Sequence, residues 1–231
     1  MRIWDIHPGY LNRQSLLGEH RELHGIVSII TNNKKGYSRH PETLRWVGYG
    51  WAIRQRHKLL ALEMALRGYK DQSPVKLRSN QEHWPEGIID EPQVQFELLR
   101  NKYLDKEPGR IALPNTAQQL WSQHKYSVMA RDTRLYKKLG RMVSVYAPGQ
   151  DFSALAKQLT MTLRQRPSDK GIYNSLLHMW GYVSDSYPGS KRNVHHWSPH
   201  KLLKETQQLA LANNEAYLLS STALSELEAW M

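Results

Sequence analysis

Apolar residues along this chain recur at steps of three and four, the spacing of one face of an α-helix, and no segment alternates convincingly as a half-buried strand would. Between Asn12 and Ile30, the positions Leu16, Leu17, Leu23, Ile26, Val27 and Ile30 predict one amphipathic helix with Asn12 as its N-cap. Thr31 to Pro41 holds two asparagines, Gly36 and the cations Lys34, Lys35 and Arg39, the composition of a loop. A second helix is expected from about Trp51 to Arg67. Ile53, Leu59, Leu60, Leu62, Met64 and Leu66 supply its apolar side, Arg54, Arg56 and Lys58 its polar side, and Gly68 its stop. Residues 70–92 are polar and broken by Pro74, Pro85 and Pro92, which reads as a long surface connection, and Val94 to Leu104 as a short helix. Pro108, Gly109 and Pro114 then mark a boundary, giving expected domains at 1–113 and 114–231. Beyond it, Thr116 to Ala130, Arg134 to Tyr146, Phe152 to Arg164 and Tyr173 to Val183 keep helical spacing, and Leu202 to Met231 adds one or two more helices. The expected fold class is all-α, two helical domains of which the second is a bundle.

Composition narrows the chemistry. With no cysteine among 231 residues, disulfides, thiolate metal sites and a cysteine nucleophile are excluded. No apolar run approaches the roughly 20 residues of a membrane span, and the start of the chain lacks the apolar core of a secretory signal, so a cytoplasmic protein with no membrane partner is expected. Net charge is +11, unevenly spread: +8 over residues 1–78, −3 over 79–115, +10 over 116–204 and −4 over the remainder. Two basic blocks point to a polyanionic partner, nucleic acid before a small acidic metabolite.

Three segments carry a family resemblance: Met1-Arg2-Ile3-Trp4, Glu19-His20-Arg21-Glu22-Leu23, and the run from Arg54 through Arg56 and Glu63 to Arg67-Gly68-Tyr69. In these the chain resembles the pyrimidine dimer DNA glycosylase/endonuclease V family. Its bacterial branch is also similar at His7-Pro8, Tyr10-Leu11 and Gly36-Tyr37-Ser38-Arg39-His40-Pro41. The resemblance implies an all-helical domain that acts on damaged DNA without metal or other cofactor. Its nucleophile would be the chain's own α-amine and its partner a glutamate on the first helix. Placed by position, these catalytic groups are the amine of Met1 and the carboxylate of Glu22. Such roles are chemically coherent, because an α-amine is a weaker base than lysine and keeps more of its neutral, nucleophilic form near neutral pH. Arg2 is too bulky to permit removal of the initiator methionine, so Met1 is expected to remain. Arg2 and Arg21 would hold phosphates, with Arg54 and Arg56 as further substrate-binding cations. Lys34, Lys35, Arg39 and His40 are either phosphate contacts beside a lesion or an ordinary solvated loop. Gly25 stands where the family has an arginine, and the aromatic C-terminal segment of the phage enzyme has no counterpart. Lyase chemistry is therefore better founded than dimer specificity.

The second half is similar to a helical domain of unassigned function, of the DUF1722 type, at His124-Lys125-Tyr126, Tyr136-Lys137-Lys138-Leu139-Gly140-Arg141 and Asn174 with His178, Gly181 and Tyr182. Where such domains accompany a thiouracil desulfidase they are thought to hold tRNA. Independently, Arg131, Arg134, Lys137, Lys138 and Arg141 recur at helical steps, predicting a cationic stripe over Leu135, Leu139, Met142 and Val143. Asn174 and His178, four apart, are either a small polar site or a satisfied packing pair. His195, His196 and His200 lack an adjacent carboxylate, so no metal is expected there.

Together these readings point to a glycosylase and abasic-site lyase acting on damaged duplex DNA, with damaged pyrimidines such as ultraviolet dimers as the implied substrates. The alternatives are an enzyme acting on modified RNA or tRNA, and a non-enzymatic nucleic-acid-binding protein.

Overall fold

The computed structural model describes residues 1–78, 82–189 and 191–231, the side chains of 191–193 excepted. Residues 79–81 of the expected connection thus lie outside the described residues. Among the described residues all regular structure is helical, and none of the helices is long and apolar enough to cross a membrane. The chain divides into two compact units, Met1–Gly109 and Arg110–Met231.

The first unit opens with an extended segment in which Ile3, Trp4 and Ile6 are buried, followed by a single 3-10 turn at Pro8–Tyr10. Four helices follow: α1 (Arg13–Thr31), α2 (Pro41–Trp46), α3 (Gly50–Leu66) and α4 (Pro92–Lys102). Asn12 caps α1 as expected, its side-chain oxygen accepting the Ser15 N–H at 2.9 Å. The sequence pattern does not reveal α2. This helix is too short to show a period, and it starts because His40 Nδ1 accepts the Glu42 N–H at 3.1 Å while Pro41, in the first turn, needs no donor. Helix α4 also has a proline in its first turn, without a side-chain cap, and begins at Pro92, two residues before the expected Val94. Helices α1 and α3 pack together, and Leu16, Leu23, Ile26, Ile53 and Leu60 are buried with Tyr10, Phe96 and Leu99. The Tyr10 and Phe96 rings meet edge to face at 4.9 Å.

The expected polar side of α3 requires correction. Gln55, Arg56, His57 and Glu63 are all buried, whereas Leu59, Leu62 and Leu66 are only half-buried. Each buried charge has a partner. Arg56 meets Glu19 of α1 through two hydrogen bonds at 2.7 and 2.9 Å, and Glu63 takes Arg67 at 2.7 Å. Paired charges are tolerated in a core that would reject single ones.

The second unit is built on α5 (Ala117–Arg131), which packs against α6 (Thr133–Ser144), α7 (Ser153–Leu163) and α8 (Asp169–Trp180). The chain then continues through α9 (Pro199–Ala212), α10 (Ala216–Leu219) and α11 (Ala223–Glu226), the last also against α5. Thr116 caps α5, accepting the Gln119 N–H at 3.1 Å. Helix α8 begins four residues before the expected Tyr173 because Ser168 caps it and Asp169 favours its N-terminal dipole. Gly171 lies so close to α5 that a Cβ there would fall 2.0 Å from the Ala130 carbonyl oxygen.

Candidate active site and nucleic-acid interface

The extended N-terminal segment is held through its backbone by residues far along the chain. Arg45 donates to the Ile3 carbonyl at 2.9 Å and grips Asp5 at 2.7 and 2.9 Å. The Asp5 N–H donates to Gln95 Oε1 at 2.8 Å, and Arg56 donates to the Ile6 carbonyl at 2.9 Å. Glu42 braces Arg45 at 2.5 Å and accepts the buried Trp46 indole N–H at 2.9 Å. With Ile3, Trp4 and Ile6 in the core, residue 2 is brought to α1, where the Arg2 backbone N–H donates to the Glu22 carboxylate. Glu22 is half-buried. Its carboxylate therefore lies one peptide unit from the first residue of the chain.

The cations expected around this point have different fates. The Arg2 guanidinium pairs with Asp90 at 2.6 Å and lies 4.3 Å over the Trp4 ring, about a third exposed. Arg21 is exposed on α1 and lines a surface hollow of about 630 Å³ with Arg13, Gln14, Leu17 and Glu107. Lys34 and Lys35 are exposed and line a second hollow of about 400 Å³ with Ile29, Ile30, Asn33 and Ser38 among others. Arg39 is exposed, whereas His40 has its Nδ1 committed to capping α2. Arg54 is half-buried and donates to the Leu77 carbonyl at 2.7 Å. Arg56 must be removed from the substrate-binding set. It is 3% exposed, and its guanidinium is consumed by Glu19 and the Ile6 carbonyl, so it has no face left for a phosphate.

In the second unit the five-cation stripe is corrected to four. Helix α5 ends at Arg131, and Asp132 turns extended (φ −151°, ψ 110°) to cap α6 through the Arg134 and Leu135 N–H groups. Arg131 points inward. It makes two hydrogen bonds to the buried Glu226 at 2.9 and 3.0 Å and donates to the carbonyls of Ser127, Leu163 and Gln165 at 2.7 to 2.9 Å. Arg134, Lys137, Lys138 and Arg141 are all exposed on α6, above the buried Leu139 and Val143. Asn174 is half-buried and lines a hollow of about 380 Å³ with Met129, Thr133, Ser168 and Lys170 among others. His178 is exposed and is not among the residues lining it, so the two are not brought into one pocket.

One constellation escaped sequence reasoning. His20 and His24 of α1, His57 of α3 and Asp71 converge, with all four ligand-type atoms within 4.8 Å of one another. Burial lowers the pKa of His57 to about 4, aided by neighbouring His20 and His24 and opposed by Asp71. Burial and His20 likewise lower His24. Against the upward push of burial, the Ser73 N–H and the adjacent imidazoles hold Asp71 below the ordinary carboxylate range. The four-residue step from His20 to His24 was visible in the sequence; the approach of His57 and Asp71 exists only once α1 and α3 have packed.

With this geometry in place, comparison with known families gives two matches. Residues 1–77 match the family described as pyrimidine dimer DNA glycosylase, and residues 125–226 match the family described as protein of unknown function (DUF1722). These are the two families implied by the sequence resemblances. Comparison with curated proteins and with solved structures finds no match.

Proposed function

We propose that this chain, which joins a pyrimidine dimer DNA glycosylase segment to a helical segment of unassigned function, is a DNA repair glycosylase with abasic-site lyase activity. The reaction runs through an imine formed by the α-amine of Met1. The observation that carries this reading is the hydrogen bond from the Arg2 backbone N–H to Glu22, which sets a carboxylate one residue from that amine. The neutral amine attacks C1′ of the damaged nucleotide, the bond from C1′ to the base breaks, and the base leaves with a proton. Opening of the sugar ring, with proton delivery to its oxygen, gives an iminium. This acidifies C2′; loss of a C2′ proton expels the 3′ phosphate by β-elimination, and water releases the amine again. In this reading Glu22 carries these protons and stabilises the cationic sugar. The attack requires an unstacked nucleotide, since C1′ is not accessible along the attack line inside an intact duplex.

Residues 1–113 form the catalytic domain in this reading and 114–231 a nucleic-acid grip. Arg21, Lys34, Lys35 and Arg39 are exposed cations of the same unit as the reacting groups. Arg134, Lys137, Lys138 and Arg141 of α6 track a phosphate backbone. Borohydride trapping on an abasic duplex tests the chemistry. A covalent adduct mapped to the N-terminal peptide is expected, and Glu22→Gln should bind as well as the parent but lose most strand cleavage. No adduct from a chain that still binds would reduce it to a binding protein. Cleavage of tRNA in preference to irradiated duplex would move it to RNA.

A further inference from the structure

The cluster of three histidines and one aspartate between α1 and α3 lies apart from the proposed reacting groups. Glu22 is two positions from both His20 and His24, a rotation of about 200° around the helix, so the histidines occupy another side of α1. Their rings lie close, with centroids 4.7 Å apart for His20 and His24, 5.1 Å for His20 and His57, and 5.0 Å for His24 and His57. Asp71 reaches into the same space, its two carboxylate oxygens 3.2 Å from His20 Nε2 and 3.5 Å from His57 Nε2. Yet all three Nε2 atoms are buried and none makes a well-formed hydrogen bond, Asp71 standing near those of His20 and His57 as an ion-pair neighbour and His24 Nε2 having no such neighbour. Three such nitrogens facing one another are costly unless something they bind stands among them.

We propose that His20, His24, His57 and Asp71 bind one divalent transition metal ion, zinc being the ion the donor set suits best. Three imidazoles and a carboxylate form a nitrogen-rich, borderline set that selects late first-row ions over calcium or magnesium. Four protein ligands complete a tetrahedron and leave no open position, which makes the site structural. At bond lengths of about 2.0 to 2.2 Å a tetrahedral ion holds its ligand atoms about 3.4 Å apart, so the widest pair closes by roughly 1.4 Å on binding. Two ligands come from one face of α1, the third from α3, and the fourth from the segment beyond the Gly68 turn, where φ is +80°. The Ser73 N–H, donating to Asp71 at 3.0 Å, supplies the outer support that orients a carboxylate ligand. The ion thus fastens three separate stretches of the first unit. The proposal concerns structure only: it leaves the metal-free chemistry implied by the family resemblance as it stands, and it does not rest on the proposed glycosylase reaction.

The test uses the full chain, stripped with chelator and dialysed. Titration with Zn²⁺ followed by elemental analysis should give one bound ion per chain. Co²⁺ should give the intense visible bands of a tetrahedral ion, and the midpoint of thermal unfolding should rise by about 5 °C or more with one equivalent of Zn²⁺. His24→Gln and His57→Gln should each weaken binding at least tenfold, while His178→Gln, on an exposed position of α8, leaves it unchanged. X-ray absorption on the zinc-loaded parent, which needs no variant to fold, should count three imidazoles in a four-coordinate shell. Failure to bind one equivalent, binding that survives His24→Gln and His57→Gln together, or a six-coordinate shell would each overturn the proposal.

Discussion

Arg131 offers the sharpest separation of architecture from binding. Sequence spacing places it at the head of a phosphate-tracking stripe, whereas its guanidinium is buried on Glu226 and three backbone carbonyls. Arg131→Met removes the charge with little change of volume and leaves the Glu226 carboxylate uncompensated, apart from the Trp230 indole N–H at 2.9 Å. Breaking a buried pair from one side costs about 3–5 kcal/mol. In a unit of this size that corresponds to a fall in unfolding midpoint of about 10 °C or more. Adding Glu226→Leu removes the stranded charge and should recover much of the loss, because replacing both partners by apolar groups is often close to neutral. Calorimetry on the parent, the single variant and the double variant measures this directly. A single variant that melts within about 2 °C of the parent but binds DNA more weakly would refute the structural role and return Arg131 to the interface.

Three further outcomes follow from the second unit. Replacing Arg134, Lys137, Lys138 and Arg141 by Gln should leave thermal stability close to the parent and flatten the salt dependence of duplex binding by up to about 3.6 in log–log slope; an unchanged slope would take α6 out of the interface. His124 is buried with its pKa lowered from 6.5 to about 4, by burial and against the hydrogen bond to the Leu120 carbonyl. Its neutral form therefore favours the folded state. That contribution is complete above pH 6.5, falls as the unfolded chain takes up the proton first, and levels off below pH 4, a loss of about 3 kcal/mol read by denaturant titration and absent in His124→Gln. Gly171→Ala, whose Cβ meets the Ala130 carbonyl oxygen at 2.0 Å, should cost about 1–3 kcal/mol. Gly140→Ala, whose nearest neighbour is Trp121 at 3.8 Å, should gain about 0.5–1 kcal/mol, and equal effects would contradict the packing described.

Much of the architecture was legible because it rests on local chemistry. Asn12 and Thr116 cap helices where the periodic stretches begin, and Gly68 takes the positive φ that ends α3. The elements that escaped lack such a signal. α2 spans under two turns, and its start depends on a histidine acting as a cap, a role outside the common cap residues. Charges misled for a different reason. A lone arginine on a helical wheel reads as solvated, and only tertiary structure shows Glu19 facing Arg56 or Glu226 facing Arg131. In α5 and α3 burial runs around the helix, so the apolar stripe that normally tells inside from outside is blurred. At the candidate site, the pairing of the first residues with Glu22 rested on family resemblance. What the sequence could not show is the clamp of Arg45, Gln95 and Arg56 that delivers the segment to α1, because its members lie up to 90 residues away.

That clamp grips carbonyls and N–H groups more than side chains, and so it acts as a ruler. The leading residue is located by how many peptide units precede the anchored Ile3 and Ile6. A deletion or insertion within the first few codons would slide the terminal nitrogen by about 3.5 Å per residue while leaving the helices untouched. On the proposed imine chemistry, the number of residues ahead of the anchored segment would set the reach of the attacking nitrogen, so lengthening or shortening the start should impair adduct formation without unfolding the chain.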